Sequence, residues 1–281
     1  MTGTLHVVAT PLGNLDDLST RARETLAGAT LIACEDTRRT SKLLARIGVA
    51  APMVALHKFS ERDRLERVLG ALGAGGDVAL VSDGGTPGIS DPGALLIDAA
   101  HRAGFRVSPI PGPSAVVALL SASGLPADRF LFEGFLPRRA SERRRLLRDL
   151  AAESRTVVVY EAPHRIRQSL DDIAAAMGDR TIVLGRELTK VHETILRGSA
   201  VEVLAALGEE VRGELTLAIA GRDPSEAPRA DGDDAIARAW ARALDEAEGD
   251  ARTALRSAAK ALALKRAELW RRLTELGLVR A

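Results

Sequence analysis

Short apolar runs alternate with amphipathic stretches along the first part of the chain. Five of these runs have the length of buried strands, at residues 5–9, 31–34, 54–56, 78–81 and 107–110. Between them, apolar residues recur at helical spacing, and helix caps are expected at Ser19 and Ser60, with Gly104 ending a helix. Strands that alternate with helices are typical of βαβ units, so the sequence predicts a parallel sheet covered by helices.

A second set of apolar runs follows the proline-rich segment 109–114. These runs, at 130–133, 156–160, 181–184, 195–198 and 216–220, lie closer together, and several have no long helix between them. Close spacing favours antiparallel pairs, so we expect a mixed sheet. The fold class is therefore α/β with two domains, a parallel-sheet domain at 1–112 and a mixed-sheet domain at 113–222.

The C-terminal part of the chain has a different composition. Residues 223–234 are rich in Asp, Pro, Ala and Gly, which predicts a linker. Residues 233–281 are rich in Ala, Leu and Arg at helical spacing, with a break expected near Gly249 and Asp250. We therefore expect a helical C-terminal module, which either helps to dock a substrate or only packs as a small structural core.

Composition and charge exclude several classes of protein. The chain has 281 residues, 46% of them hydrophobic, and a formal net charge of +1, so any contact with nucleic acid must come from local basic patches. Cys34 is the only cysteine, which excludes an intrachain disulfide, and no metal site is expected because His192 and Glu193 lack a second histidine at zinc-binding spacing. No apolar run approaches the roughly 20 residues of a membrane span, and we expect a cytoplasmic protein.

The segment 82–93, which reads SDGGTPGISDPG, carries the strongest functional signal in the sequence. It directly follows the fourth apolar run, and ligands of open α/β sheets bind at the carboxyl ends of strands. Its glycines permit close approach of a ligand to the backbone. Asp83 suits a cationic or zwitterionic ligand, and Asp91 with Pro92 predicts the start of a helix. The alternative is an ordinary tight turn between strand and helix.

Other strand ends carry polar and basic residues. Segment 35–41 contains Asp36, which caps a helix in one interpretation, and Arg38 and Arg39, which clamp phosphates in the other. Ser114 opens a further helix, where it either binds a ligand or only caps. The densest basic segment consists of Arg138, Arg139, Arg143, Arg144, Arg145 and Arg148, which predicts phosphate contacts, with a solvated helix face as the alternative.

Segments 10–15, 35–38, 82–93, 111–115, 133–137 and 186–190 together resemble the tetrapyrrole methylase superfamily. More closely, they resemble its ribosomal branch, bacterial enzymes that use S-adenosylmethionine to methylate the ribose 2′-hydroxyl of a cytidine in 16S rRNA. The resemblance implies a two-domain tetrapyrrole methylase-like fold with a cofactor cleft, a homodimer, and the small ribosomal subunit as partner. It covers residues 4–221, and the tail resembles a helix-turn-helix segment only loosely.

The resemblance also implies a set of site residues. It places the cofactor against Pro11, Asp83, Gly84, Thr86, Pro87, Gly88, Ile89, Ser114, Ala115, Leu136, Ala162, Leu215 and Ala218. A ribose hydroxyl is a weak acid that must be aligned and preferably deprotonated, and the candidates for this are Glu35, Asp36, Glu187 and Lys190. A surface ion-pair network is the alternative for Glu187 and Lys190. The RNA-binding candidates are Arg38, Arg39, Arg138, Arg139, Arg143 and Arg144.

Two other functions remain open at this point. The first is a precorrin or corrinoid C-methyltransferase on the same fold, against which the arginine-rich segment argues because a tetrapyrrole acid needs few phosphate clamps. The second is a non-enzymatic RNA-binding assembly factor that keeps a cofactor-like pocket.

Overall fold

A computed structural model describes residues 2–56, 61–208, 210–223, 233–247, 249–262 and 264–279. The chain divides into two compact units. The first comprises Met1–Ala151 and Arg155–Gly221 and contains two β-sheets, whereas the second comprises Ala152–Ser154 and Arg222–Ala281 and contains helices.

The first sheet is entirely parallel, as the sequence predicts. Its strands follow the spatial order β3-β2-β4-β1-β5, so that β1 lies between two later strands, with Leu5 paired to both Val78 and Val107. The strands are β1 (Thr4–Val8), β2 (Leu31–Cys34), β3 (Met53–Ala55), β4 (Val78–Val81) and β5 (Arg106–Ile110).

Helices cover both faces of this sheet because its buried strands are apolar on both sides. One face packs against Leu26 and Leu44, and the other against Leu72 and Leu96. The covering helices are α1 (Thr20–Gly28), α2 (Thr37–Arg46), α3 (Glu61–Gly73) and α4 (Ala94–Arg102).

The predicted helix boundaries have different outcomes. Ser19 caps α1, since its side chain accepts a hydrogen bond from the Ala22 N–H, and Gly104 follows the end of α4 with a φ of 76°. The prediction that Asp91 caps α4 is wrong. Gly93 occupies the N-cap with a φ of 125°, and no side chain caps this helix. Ser60 lies outside the described residues.

The second sheet is mixed, which confirms the prediction. In its order β6-β7-β10-β8-β9, β6 and β7 are parallel and the other neighbours are antiparallel. The strands are β6 (Phe130–Phe135), β7 (Thr156–Glu161), β8 (Ile182–Arg186), β9 (Thr194–Gly198) and β10 (Leu215–Ile219), and the helices of this region are α5 (Ala115–Ser123), α6 (Ala140–Leu150), α7 (Ile166–Met177) and α8 (Ala200–Ala206). The domain boundary at residues 112 and 113 stays a prediction.

The second unit contains the helices α9 (Asp233–Glu246), α10 (Ala251–Ala261) and α11 (Arg266–Glu275). Ile236, Trp240, Leu269 and Leu273 are buried in its own small core. The expected break is present, because Asp250 caps α10 by accepting hydrogen bonds from the Arg252 and Thr253 N–H groups. Most of the predicted linker 223–234 lies outside the described residues.

None of the helices in the described ranges has the length and apolar character that a membrane span requires. In the same part of the chain, no three His, Cys, Asp or Glu side chains are grouped so that they could hold a metal ion.

Candidate functional site

Three loops at the carboxyl ends of β1, β4 and β5 pack tightly against one another. Thr10 and Gly85 exchange two backbone hydrogen bonds of 2.9 Å, and the Thr86 hydroxyl donates to the Pro113 carbonyl at 3.1 Å. A Cβ on Gly84 would lie 3.3 Å from the Pro11 carbonyl oxygen. Gly85, with a φ of 85°, adopts a backbone conformation that favours glycine. The loops therefore form one fixed surface.

This surface forms one side of a cavity of about 560 Å³, and the strand-end loops of the second sheet form the other side. Its size falls within the roughly 300–1,000 Å³ that is usual for small-molecule sites. The lining consists of Leu12, Glu35, Arg39, Asp83, Gly84, Gly85, Thr86, Ile89, Ser90, Asp91, Ser114 and Ala115 together with Phe135, Tyr160, Glu161, Ala162, Pro163, Lys190, Gly213, Glu214, Leu215 and Thr216.

Many of the residues predicted to bind cofactor meet at this cavity. Those in its lining are Asp83, Gly84, Thr86, Ile89, Ser114, Ala115, Ala162 and Leu215. Pro11, Pro87 and Gly88 belong to the loops but do not line the cavity, while Leu136 and Ala218 are buried in the apolar core beside it.

Asp83 and Asp91 bring carboxylates into the cavity. Burial raises the pKa of Asp83, although Arg39 Nη1 lies 3.4 Å from its Oδ2. Burial and the nearby Glu35 carboxylate raise the pKa of Asp91 to about 6, against the hydrogen bond from Ser82. Asp91 was missed as a site residue because its position before Pro92 indicated only a helix cap.

Lys190 connects two other acidic residues. Its Nζ lies 2.8 Å from Glu187 Oε1 and 3.0 Å from Glu214 Oε2. Burial alone would raise the pKa of Glu187, but hydrogen bonds from Lys190 and the Glu214 N–H outweigh it and lower the pKa. Burial alone would lower the pKa of Lys190, but its two carboxylate partners outweigh burial and raise this pKa. Lys190 lines the cavity, whereas Glu187 holds it from outside the lining.

Asp36 performs the capping role that the sequence left open. Its side chain accepts a hydrogen bond from the Arg38 N–H at the start of α2, and Arg38 Nη2 lies 3.0 Å from its Oδ2. The side-chain hydrogen bond from Arg38 is the main reason that the pKa of Asp36 falls to about 2. Asp36 is not part of the cavity lining.

A buried polar network fixes the ends of β6 and β7. The Glu161 carboxylate accepts hydrogen bonds from Arg165, from the Ala162 N–H at 2.7 Å and from the Ser169 hydroxyl at 2.5 Å. Arg165 also donates to the Leu136 carbonyl at 3.2 Å. The same guanidinium group therefore joins the end of β7 to the residue that follows β6.

The basic segment divides into exposed and buried residues. Arg138, Arg139 and Arg144 are exposed, as are Arg38 and Arg39 near α2. The prediction that Arg143 contacts RNA is corrected, because its residue is 2% exposed and its guanidinium pairs with Asp172 at 2.7 Å. Arg39, which the sequence predicts to clamp phosphates, also lines the cavity.

The family model for tetrapyrrole (corrin/porphyrin) methylases matches residues 4–204. The chain belongs to this family. It is 48% identical over 231 residues to ribosomal RNA small subunit methyltransferase I of Xylella fastidiosa strain Temecula1, which covers 81% of this chain and 85% of the relative. The enzyme of the same name from Escherichia coli O157:H7 is 46% identical over 228 residues, or 80% of each chain.

Solved structures of two other methyltransferases share the fold. The methyltransferase CobJ superposes with a TM-score of 0.59 at 20% identity, covering 82% of this chain and 98% of its own. A Thermus thermophilus uroporphyrin-III C-methyltransferase, complexed with S-adenyl homocysteine, superposes with a TM-score of 0.54 at 20% identity, covering 77% of this chain and 96% of its own. At this level of identity, the family's fold is what the superpositions establish.

Proposed function

We propose that this tetrapyrrole methylase transfers the methyl group of S-adenosylmethionine to the ribose 2′-hydroxyl of a cytidine in 16S rRNA of the small ribosomal subunit. The observation that carries the proposal is the 48% identity to a ribosomal RNA small subunit methyltransferase I over 85% of that relative's length. Membership of a methylase family supports the reaction class and the cofactor. The cytidine 2′-hydroxyl is the finer part of the proposal.

The cavity fits S-adenosylmethionine in size and charge. Gly84 and Gly85 place backbone at the cavity surface with no side chain between it and a ligand. The carboxylates of Glu35, Asp83 and Asp91 give part of the lining a negative charge, which suits a cationic ligand. When bound, the cofactor supplies an electrophilic methyl group on a positively charged sulfur.

Asp91 is the group that we propose as proton acceptor for the ribose hydroxyl. A carboxylate with a pKa of about 6 is ionised at neutral pH and is more basic than an ordinary one. Of the predicted candidates, Glu35 also lines the cavity and helps to keep the pKa of Asp91 high. Asp36, with its pKa near 2, is a weak base, and Lys190 is held protonated by its carboxylate partners.

The exposed arginines are proposed to contact RNA phosphates. Arg138, Arg139 and Arg144 lie at or just after the strand-end loop that follows β6, whose Phe135 lines the cavity. Guanidinium groups form strong hydrogen bonds with phosphate oxygens, which fix the position of RNA without reading its sequence. Arg38 and Arg39 extend this set on the side of α2.

The direct test is methyl transfer from radiolabelled cofactor to purified small ribosomal subunits. Mass spectrometry of the digested 16S rRNA should locate the label on the ribose of one cytidine. A parallel reaction with a precorrin substrate tests the corrinoid alternative. The proposal would be contradicted by label on an RNA base, by label on the precorrin or by the absence of label from both substrates. Cofactor-independent RNA binding without methyl transfer would favour an assembly factor.

The resemblance further supports a homodimer as the active form and a docking role for the C-terminal unit. Light scattering on the purified protein measures its mass directly. A monomer at the concentrations used for catalysis would contradict the dimer.

A further inference from the structure

Aromatic residues are scarce in this chain, yet three of them meet beside the cavity. The sequence contains five Phe, two Trp and one Tyr. The ring centroid of Tyr160 lies 5.0 Å from that of Phe132, at an interplanar angle of 71°, and 5.4 Å from that of Phe135, at 59°. Tyr160 and Phe135 both line the cavity. The cluster is thus placed where a ligand would meet it.

A β-bulge in β6 determines to which face of the sheet the Phe135 side chain points. Phe132 pairs with Val158, but Phe135 pairs with Tyr160, so three steps along β6 match two along β7. In a regular strand, residues three apart point to opposite faces. The bulge between them instead brings both phenylalanine rings against Tyr160. Bulges that redirect a side chain are common next to active sites.

The bulge is also held by the glycine-rich loop. Gly134 has a φ of 66°, and a Cβ at this position would lie 2.9 Å from the Ser90 hydroxyl oxygen. Ser90 itself has a φ of 65°, which is uncommon for a residue other than glycine. Close packing of these two residues couples the position of Phe135 to the proposed cofactor loop.

Phe135 is not buried by this arrangement. Its exposed fraction is 57%, although it contacts Tyr160 and lines the cavity. Ile89, another large apolar residue of the lining, is 47% exposed. An aromatic ring held in place at a bulge but left open to solvent on a cavity offers a flat surface for a planar ligand.

We propose that Phe135 stacks on the base of the target nucleotide, which is turned out of the RNA toward the cavity. This inference rests on the proposed function, because it requires an RNA substrate. Unstacked bases of RNA are commonly recognised on aromatic side chains, and enzymes that do chemistry on a base turn it out of the stack. The cofactor's adenine is the other possible base. The exposed position favours the RNA, which approaches from solvent.

The test compares Phe135→Ala and Phe135→Tyr with Phe130→Ala. Phe130 lies on the same strand, is 40% exposed and is not part of the cavity lining, which makes it a matched control. We expect Phe135→Ala to raise the KM for small subunits about tenfold or more, Phe135→Tyr to restore it, and Phe130→Ala to leave it unchanged. Thermal unfolding should be nearly unchanged in all three.

Cofactor affinity and base stacking are measured separately. Calorimetry should give the same cofactor Kd for Phe135→Ala and wild type. An RNA fragment with a fluorescent cytidine analogue at the target should be quenched by wild type and not by Phe135→Ala. A weakened cofactor Kd with an unchanged KM for small subunits would assign the Phe135 ring to the cofactor's adenine. No change in either constant would exclude stacking. Each of these two results would overturn the inference. If wild type labels no rRNA, the proposed function fails, and loss of quenching in Phe135→Ala still reports stacking on an RNA base.

Discussion

Arg143 Nη2 lies 2.7 Å from Asp172 Oδ2, and only 3% of the arginine side chain is exposed. The pair joins α6 to α7 in the second sheet's helical layer. Removal of one partner of a buried ion pair leaves the other charge buried, which costs about 3–5 kcal/mol. We therefore expect Arg143→Met to lower the free energy of unfolding by about 3 kcal/mol in urea titrations. The exposed neighbour Arg144→Met should change it by less than about 0.5 kcal/mol, and equal effects would contradict a structural role for the pair.

The exposed arginines should determine how RNA binding depends on salt. Replacement of Arg138, Arg139 and Arg144 by Gln should reduce the slope of log Kd against log salt concentration by about 0.7–0.9 per lost phosphate contact. Cofactor affinity should not change. Filter binding at several salt concentrations measures the slope. A control variant has Gln at three arginines that are exposed on α1 and α4, Arg21, Arg23 and Arg102, and it should keep the wild-type slope. An unaltered slope in the variant at Arg138, Arg139 and Arg144 would assign these three arginines to solubility.

Valine at Gly84 or Gly88 should weaken cofactor binding at least about tenfold. A side chain at Gly84 meets the Pro11 carbonyl at 3.3 Å and fills space at the cavity, and Gly88 has a φ of 81° that strains any branched residue. Calorimetry provides the affinities. Gly28→Val is the control, because no atom outside the neighbouring residues and backbone of α1 lies within 4 Å of the added Cβ. Unchanged affinity in both loop variants would exclude this loop as the cofactor site.

The methyl-transfer rate should fall as the pH drops through about 6, because the proposed proton acceptor Asp91 must be ionised and its pKa is raised to about 6. Asp91→Asn should lower kcat by about 100-fold or more and remove this dependence. The exposed Asp98→Asn is the control. A pH profile of Asp91→Asn that matches wild type would exclude Asp91 as the base.

Ionisation of Asp91 should change activity and stability in opposite directions as the pH rises. The folded-state pKa of Asp91 is raised from 3.8 to about 6, so the folded state binds more protons than the unfolded state between these values. Stability contributed by this group is therefore lost as pH rises from about 4 to about 6. Because Asp91 is partly exposed, we expect Asp91→Asn to stabilise the protein by only about 1 kcal/mol at pH 8 and not at pH 4. Thermal unfolding at the two pH values measures the difference.

The helical C-terminal unit should contribute to substrate docking rather than to cofactor binding. Truncation near Pro228, which lies outside the described residues, removes α9 to α11 with their separate core. We expect the truncated protein to keep its cofactor Kd and to methylate small subunits more slowly. Methylation at the full rate would exclude the docking role.

Strands such as β2 and β4 could be predicted from the sequence because their apolar runs are continuous and are followed directly by polar residues. The role of Arg143 could not, because its partner Asp172 lies on another helix. One local signal was present, however: Arg143 shares the buried face of α6 with Leu147 and Leu150, at helical spacing. Asp91 was misassigned for a similar reason, since its pKa is raised first by burial in the folded protein and then by Glu35, which is distant in sequence.

The position of β1 has a consequence for the order in which the protein forms during synthesis. Leu5 emerges from the ribosome early, but its two partners, Val78 and Val107, are made much later. β1 can therefore pair with β4 only after residue 78 has been made, and it lacks its second neighbour until β5 is available. Contacts between distant parts of a chain slow folding and leave apolar strands open to aggregation. A nascent chain that stops before Ile110 should consequently depend on chaperones, whereas one extended past it can close the first sheet.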